Sequence, residues 1–163
     1  MRVVSNTSPV SNLAIIGRLG LLRERYARVF IPPAVRQELL ALTHPSGRVA
    51  IDAALRDGWL TEESLPPQSI ATELRASLDP GEAEAIALAT GTASDVLLLD
   101  ERRGRLAARR LGLAVGGVLG ELLHARLAGR IPDASAEIAR LRSEAHFFIH
   151  ADIEAFILGQ AGE

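Results

Sequence analysis

The chain has 163 residues, 48% hydrophobic and 23% charged, with a formal net charge of −2. That suits one ordinary globular domain, its apolar runs are too short to span a bilayer, and its overall charge does not mark it as a polyanion binder. Cysteine is absent, which excludes disulfides and thiolate-bound metals; without a basic, apolar leader segment the expected location is cytoplasmic, with no membrane partner.

Taken in chain order, residues 2–5 read as a first strand that ends abruptly in small polar residues and a proline, Ser5-Asn6-Thr7-Ser8-Pro9. That is how a buried parallel strand hands over to a helix. Ser8 is the expected cap of a helix over 9–16, and Gly17 its end. A short helix over 18–25 follows, then a strand at Val29-Phe30-Ile31. Pro33 suits the first turn of a helix over 33–42. A turn at Thr43 to Gly47 precedes a helix over 48–57, and Trp59-Leu60 reads as a short edge strand. Glu62 to Gln68 is a polar, proline-bearing connection, too short for a domain boundary. Asp79-Pro80-Gly81-Glu82 has the form of a capping box opening a helix that Gly91 ends. A strand over 96–99, an arginine-rich helix over 101–111 and a last strand at Leu113-Ala114-Val115 follow. Helices near 118–128, 133–143 and 151–159 complete the chain. Apolar strands alternating with helices predict an α/β fold, a three-layer α/β/α sandwich around a central parallel sheet. The expected organisation is one domain over 1–163, with a helical C-terminal extension from about 118.

Ligands of open α/β sheets bind at the carboxyl ends of strands, so the polar residues there are the candidates. Asn6 ends the first strand; Asp100 and Glu101 end the most apolar one. Glu38 lies beside Val35 and Leu42 at the margin of a buried helical stripe. It is read either as a boundary glutamate that reaches solvent or pairs with an arginine such as Arg36 or Arg2, or as a metal ligand. Glu82 is explained as the third residue of a capping box. Glu84 lacks that explanation and is either a surface residue or a directed ligand. An acid at 100 or 101 also suits a helix N-terminus, although that does not account for two together. Clustered carboxylates repel unless cations neutralise them. Hard ions such as Mg²⁺ and Mn²⁺ suit carboxylate and water ligands and assist phosphoryl chemistry.

Four segments carry a family resemblance: Val-Val-Ser-Asn-Thr-Ser-Pro (3–9), Ile-Pro-Pro-Ala-Val-Arg-Gln-Glu-Leu (31–39), Asp-Pro-Gly-Glu-Ala-Glu-Ala-Ile-Ala-Leu-Ala (79–89) and Leu-Leu-Leu-Asp-Glu-Arg-Arg-Gly-Arg (97–105). In order and spacing the chain resembles PIN-domain proteins, in a prokaryotic branch related to the toxin ribonucleases of type II toxin–antitoxin pairs. The resemblance implies a four-acid site binding one or two divalent ions. The first position is held here by Asn6. The second matches Glu38, the third Glu84 better than Glu82, and the fourth Asp100, with Glu101 a close rival. Ser8 matches a small polar position that supports the first acid. The implied activity is Mg²⁺- or Mn²⁺-dependent endoribonuclease, with RNA as substrate, a cognate antitoxin as a partner and a homodimer as the assembly. Asparagine offers a metal its carbonyl oxygen but no charge, so the expected activity is low, Mn²⁺-dependent or lost.

Every basic residue is arginine, and five of them, Arg102, Arg103, Arg105, Arg109 and Arg110, follow directly on Asp100. They are read as a solvated helix face, as a contact for an RNA backbone (Arg102, Arg103 and Arg105 nearest the acids), or as a surface for an acidic partner. The alternative to a nuclease is a catalytically impaired PIN-like module that binds RNA or protein. A receiver-like domain phosphorylated at Asp100 lacks the paired acids after strand one and any lysine. His44, His124, His146 and His150 lack metal-ligand spacing, and His146-Phe147-Phe148-Ile149 either closes the core or covers a dimer or antitoxin contact.

Overall fold

The structure, a computed structural model, describes all residues from Met1 to Glu163. Five strands form one sheet in the order β3-β2-β1-β4-β5, and every pairing is parallel. They are β1 (Val3–Ser5), β2 (Val29–Ile31), β3 (Leu60–Glu62), β4 (Val96–Leu98) and β5 (Val115–Gly116). Parallel strands need long crossovers, and ten helices supply them: α1 (Thr7–Ile15), α2 (Gly20–Tyr26), α3 (Pro33–Leu40), α4 (Pro45–Arg56), α5 (Ala71–Leu74), α6 (Pro80–Gly91), α7 (Arg102–Arg110), α8 (Val118–Leu127), α9 (Ala134–Glu144) and α10 (Ala151–Ala161). The result is the three-layer α/β/α sandwich predicted from the sequence.

The central strands β1 and β4 are short and enclosed except at Val96. Val3, Val4, Leu97, Leu98 and Leu99 are completely buried, so these runs are apolar at every position rather than alternating. α6 is buried from Gly81 to Ala89. Its Ala-rich sequence lets it lie close to β1 and β4 while packing against α3, α5 and α7. On the other side α1 packs on α4, α8 and α9, and α8 on α10.

The strand order places the site. From β1 the chain leaves toward β2 and β3; on its other side β1 pairs with β4, from which the chain continues to β5. The connections diverge between β1 and β4, and at such a switch point the carboxyl ends of the strands open a crevice. The register aligns Ser5 with Leu98, and Asn6 N donates to Leu98 O at 2.9 Å. Asn6 and Asp100 thus leave neighbouring strands on the same side.

Several boundaries moved for identifiable reasons. α1 begins at Thr7, with Asn6 rather than Ser8 in the N-cap position, and Ser8 lies inside the first turn. α4 begins at Pro45, within the expected turn, because the His44 ring Nδ1 accepts from Gly47 N at 3.0 Å and caps it. β3 runs over 60–62 instead of 59–60, and β5 over 115–116 instead of 113–115; both edges are set by pairing with β2 and β4. The one-turn helix α5 had no sequence signal. The capping box of α6 forms as read, with Glu82 N donating to Asp79 Oδ1 at 2.9 Å. Asp79→Ala should therefore cost about 1 kcal/mol in urea unfolding. Asp79→Asn, which keeps an acceptor, should lose much less.

Candidate active site

Asn6 is buried, and its backbone occupies the N-cap of α1, yet its side chain makes no capping bond. Asparagine is among the best N-cap residues because its side-chain oxygen satisfies a free N–H of the first turn. Here that oxygen, Oδ1, has no partner at all. The only other buried side-chain oxygen without one is Glu82 Oε1. A buried polar atom left unpaired costs free energy, so two such oxygens at one sheet edge need an explanation.

Asp100 is held from two sides. Ser8 Oγ donates to its Oδ2 at 2.9 Å, and Val118 N, the first residue of α8, donates to Oδ1 at 2.8 Å. Asn12 Nδ2 in turn donates to Ser8 Oγ at 2.9 Å. With that oxygen accepting from Asn12, the Ser8 proton is directed at Asp100. Burial pushes the Asp100 carboxyl above its ordinary range, while the Val118 and Ser8 donors pull it down.

Glu38 is exposed on α3 and accepts from Thr7 Oγ1. It pairs with neither Arg36 nor Arg2, which bind Glu62 and Glu63. Its carboxylate lies over Gly81, where an added Cβ would stand 2.6 Å from Oε1. Glu82 lies against Gly104 of α7, with its Oε1 3.0 Å from an added Cβ there. Burial, and then the neighbouring charge of Asp79, raise Glu82 to about 7. Asp100 meets Gly117 in the same way, at 2.6 Å. Each of these three carboxylates is thus seated on a glycine, whose missing side chain allows the approach.

Glu84 has a different environment. It is buried, accepts from Ala34 N at 2.7 Å at the start of α3, and pairs with Arg75. Both of its oxygens are engaged in joining α6 to α3 and to the segment after α5. Glu101 is exposed at the N-cap of α7 and makes no capping bond. Arg105 turns inward: its Nη1 donates to Leu99 O at 2.7 Å and Gly116 O at 2.9 Å, closing the ends of β4 and β5. Arg102 and Arg103 face solvent. Of the expected residues, then, the edge gathers Asn6, Ser8, Glu38 and Asp100, and it adds Glu82. Asn12 was missed, although its place one turn after Ser8 on the same helix face is a signal.

A PIN-domain family model matches the chain over residues 2–163. The chain belongs to the PIN-domain family. No curated protein matches it in sequence. PIN domains generally depend on divalent metal ions, so the fit of these residues to such an ion is a direct question. No three histidine, aspartate or glutamate side chains of this PIN domain converge closely enough to cage an ion between them. The donor chemistry fits nonetheless. Every candidate is an oxygen donor, as Mg²⁺ and Mn²⁺ prefer, and two of those oxygens stand buried and unpartnered. This suits an ion with few protein ligands that keeps much of its water.

The raised Glu82 makes a stability prediction. Below pH 4.5 the side chain is protonated in both folded and unfolded chains. Between 4.5 and about 7 the unfolded chain ionises while the folded PIN domain keeps the proton. Stability attributable to Glu82 therefore falls as pH rises through that window, and the loss is complete above it. Glu82→Gln, which keeps an acceptor for the capping box, should match wild type in Tm below pH 4.5 and exceed it at pH 8. An equal difference at both pH values would refute the raised carboxyl.

Proposed function

We propose that this PIN domain is a divalent-metal-dependent endoribonuclease. The observation that supports it most is that two side-chain oxygens, Asn6 Oδ1 at the carboxyl end of β1 and Glu82 Oε1 against Gly104 of α7, are buried without a hydrogen-bond partner. Asn6, Glu38 and Asp100 take the positions implied by the family resemblance. For the third position the surroundings favour Glu82 over Glu84, because Glu84 is already bound on both oxygens. Glu101 faces solvent one residue beyond Asp100 and is available as a further ligand.

A divalent ion held by Asn6, Glu82 and Asp100 would supply positive charge for phosphoryl chemistry and make a water more acidic; Mn²⁺ would suit a site with one neutral ligand better than Mg²⁺. The chain's own residues do the rest. Ser8, oriented by Asn12, and Val118 N fix both oxygens of Asp100. Thr7 sets the direction of Glu38. Arg102 and Arg103, exposed beside the acids, bind the substrate's phosphates, while Arg105 is occupied by two backbone carbonyls. A toxin role, a cognate antitoxin and a homodimer are part of this reading and rest on the sequence resemblance alone.

The second reading is an RNA-binding module with an impaired metal site. It is favoured by the neutral Asn6 and by an Asp100 whose oxygens both already accept hydrogen bonds. Cleavage of a mixed-sequence single-stranded RNA separates the two. With Mn²⁺ the wild type should cut; EDTA or Asp100→Asn should abolish cutting. Asn6→Asp should raise both activity and Mn²⁺ affinity. Binding without cutting by any form would establish the module instead.

Asn12→Ala leaves the donor set intact but frees Ser8 to turn. It should weaken Mn²⁺ binding by no more than about 10- to 100-fold, the range seen when the direct partner of a metal ligand, here Ser8, is removed. Ser8→Ala should add little to Asn12→Ala if the two act as one relay, which calorimetric titration of the single and double variants would show.

A further inference from the structure

Most of the protein's arginines pair with carboxylates, and the unpaired ones concentrate on α7. Eleven of its arginines form ion pairs with carboxylates. Those without one are Arg28, Arg56 and all five arginines of α7. Elsewhere helical arginines find partners at four-residue spacing, as in Arg48–Asp52 and Arg140–Glu144. α7 contains no acidic residue at all.

Its layout also opposes local stability. Arg102 and Arg103 open the helix, where the macrodipole is positive and cations are unfavourable. Arg102 and Arg105, and Arg105 and Arg109, are like charges at helical-neighbour spacing, and burial first and Arg109 second depress the Arg105 pKa, against the favourable charge of Asp100. The start of α7 breaks these rules, whereas Arg109 and Arg110 lie in its last turn, where the macrodipole favours cations; the uncompensated start is a candidate for an external partner. At the middle of the outer face stands Leu106, 50% exposed. It lies three or four residues from each of Arg102, Arg103, Arg109 and Arg110, so all four flank it.

We infer that the outer face of α7 is a track for single-stranded nucleic acid leading away from the carboxylate edge. Arg102 and Arg103 take the phosphates nearest the edge, Arg109 and Arg110 those further along, and Leu106 meets a base face between them. From Arg102 to Arg110 the helix rises about 12 Å, room for about three stacked nucleotide steps at roughly 3.4 Å each. A single strand is favoured because the deep, narrow major groove of duplex RNA keeps side chains from the bases. Only an unpaired strand presents a face to Leu106. The direction of the track rests on the nuclease reading; its existence does not.

The test is anisotropy of a fluorescein-labelled mixed-sequence 12-mer RNA, single-stranded or annealed to its complement, in EDTA so that no cleavage occurs. Salt is varied from 50 to 200 mM. Wild type should bind the single strand more tightly than the duplex. R109A/R110A should weaken binding roughly tenfold or more and lower the slope of log K against log salt by about 1.4, that is 0.7 per phosphate contact. Arg56→Ala, which removes an exposed unpaired arginine elsewhere, should change little. Leu106→Ser should weaken single-strand binding without altering the slope. An unchanged R109A/R110A would overturn the track and leave α7 to an acidic protein. Equal losses from Arg56→Ala, or equal affinity for duplex, would overturn it as general electrostatics. Track-dependent binding with no cleavage under Mn²⁺ would retain the track and reject the nuclease. Cleavage with R109A/R110A binding as wild type does would do the reverse.

Discussion

A carboxylate at the end of a fully buried strand has to be solvated by the chain itself. Asp100 follows Leu97-Leu98-Leu99, all completely buried, and takes its two donors from elements far apart in sequence, Ser8 of α1 and Val118 of α8. That one side chain ties β4 to the first helix after β1 and to the helix after β5. It fixes how α1 and α8 enter across the sheet edge. It also keeps a titratable group in a place where burial resists its ionisation, which is the condition in which a cation has most to offer.

The rest of the edge follows from close approach. Three carboxylates are brought inward because glycines stand where side chains would block them: Gly81 under Glu38, Gly104 under Glu82 and Gly117 under Asp100. None of the three needs the left-handed backbone that usually explains a glycine; what matters is the absent Cβ. The same edge holds an asparagine in a cap position whose side chain does not cap. Packing that seats acids on glycines while leaving buried oxygens unpartnered is unfavourable, and a ligand that partners those oxygens would offset the cost.

α7 connects this edge to the surface. Its buried side, Gly104 and Ala108, is small enough to sit on the sheet, and Arg105 reaches back to the last carbonyls of β4 and β5. Its outer side carries only cations around one leucine. A protein of net charge −2 therefore presents a local positive face next to a local negative one. That polarity suits a polyanion whose backbone is to be held by one and acted on at the other.

The sequence by itself determined the architecture and the edge. Apolar runs at 3–4 and 96–99, helix signals between them and the Asp79–Glu82 capping box are local patterns, and short-range physics reads them. It also placed polar residues at the ends of β1 and β4. What it did not decide was the role of each acid. Glu82 and Glu84 stand two residues apart on one helix and differ only in what tertiary packing brings to them. Glu84 meets the start of α3 and Arg75 and is satisfied; Glu82 meets Gly104 and keeps a bare oxygen. Likewise Arg105 reads like its neighbours until the sheet supplies two carbonyls for it. Strand order, and with it the switch point, belongs to tertiary structure too, because it depends on which strands pair across long separations. Side-chain partners are non-local, and only the folded chain assigns them.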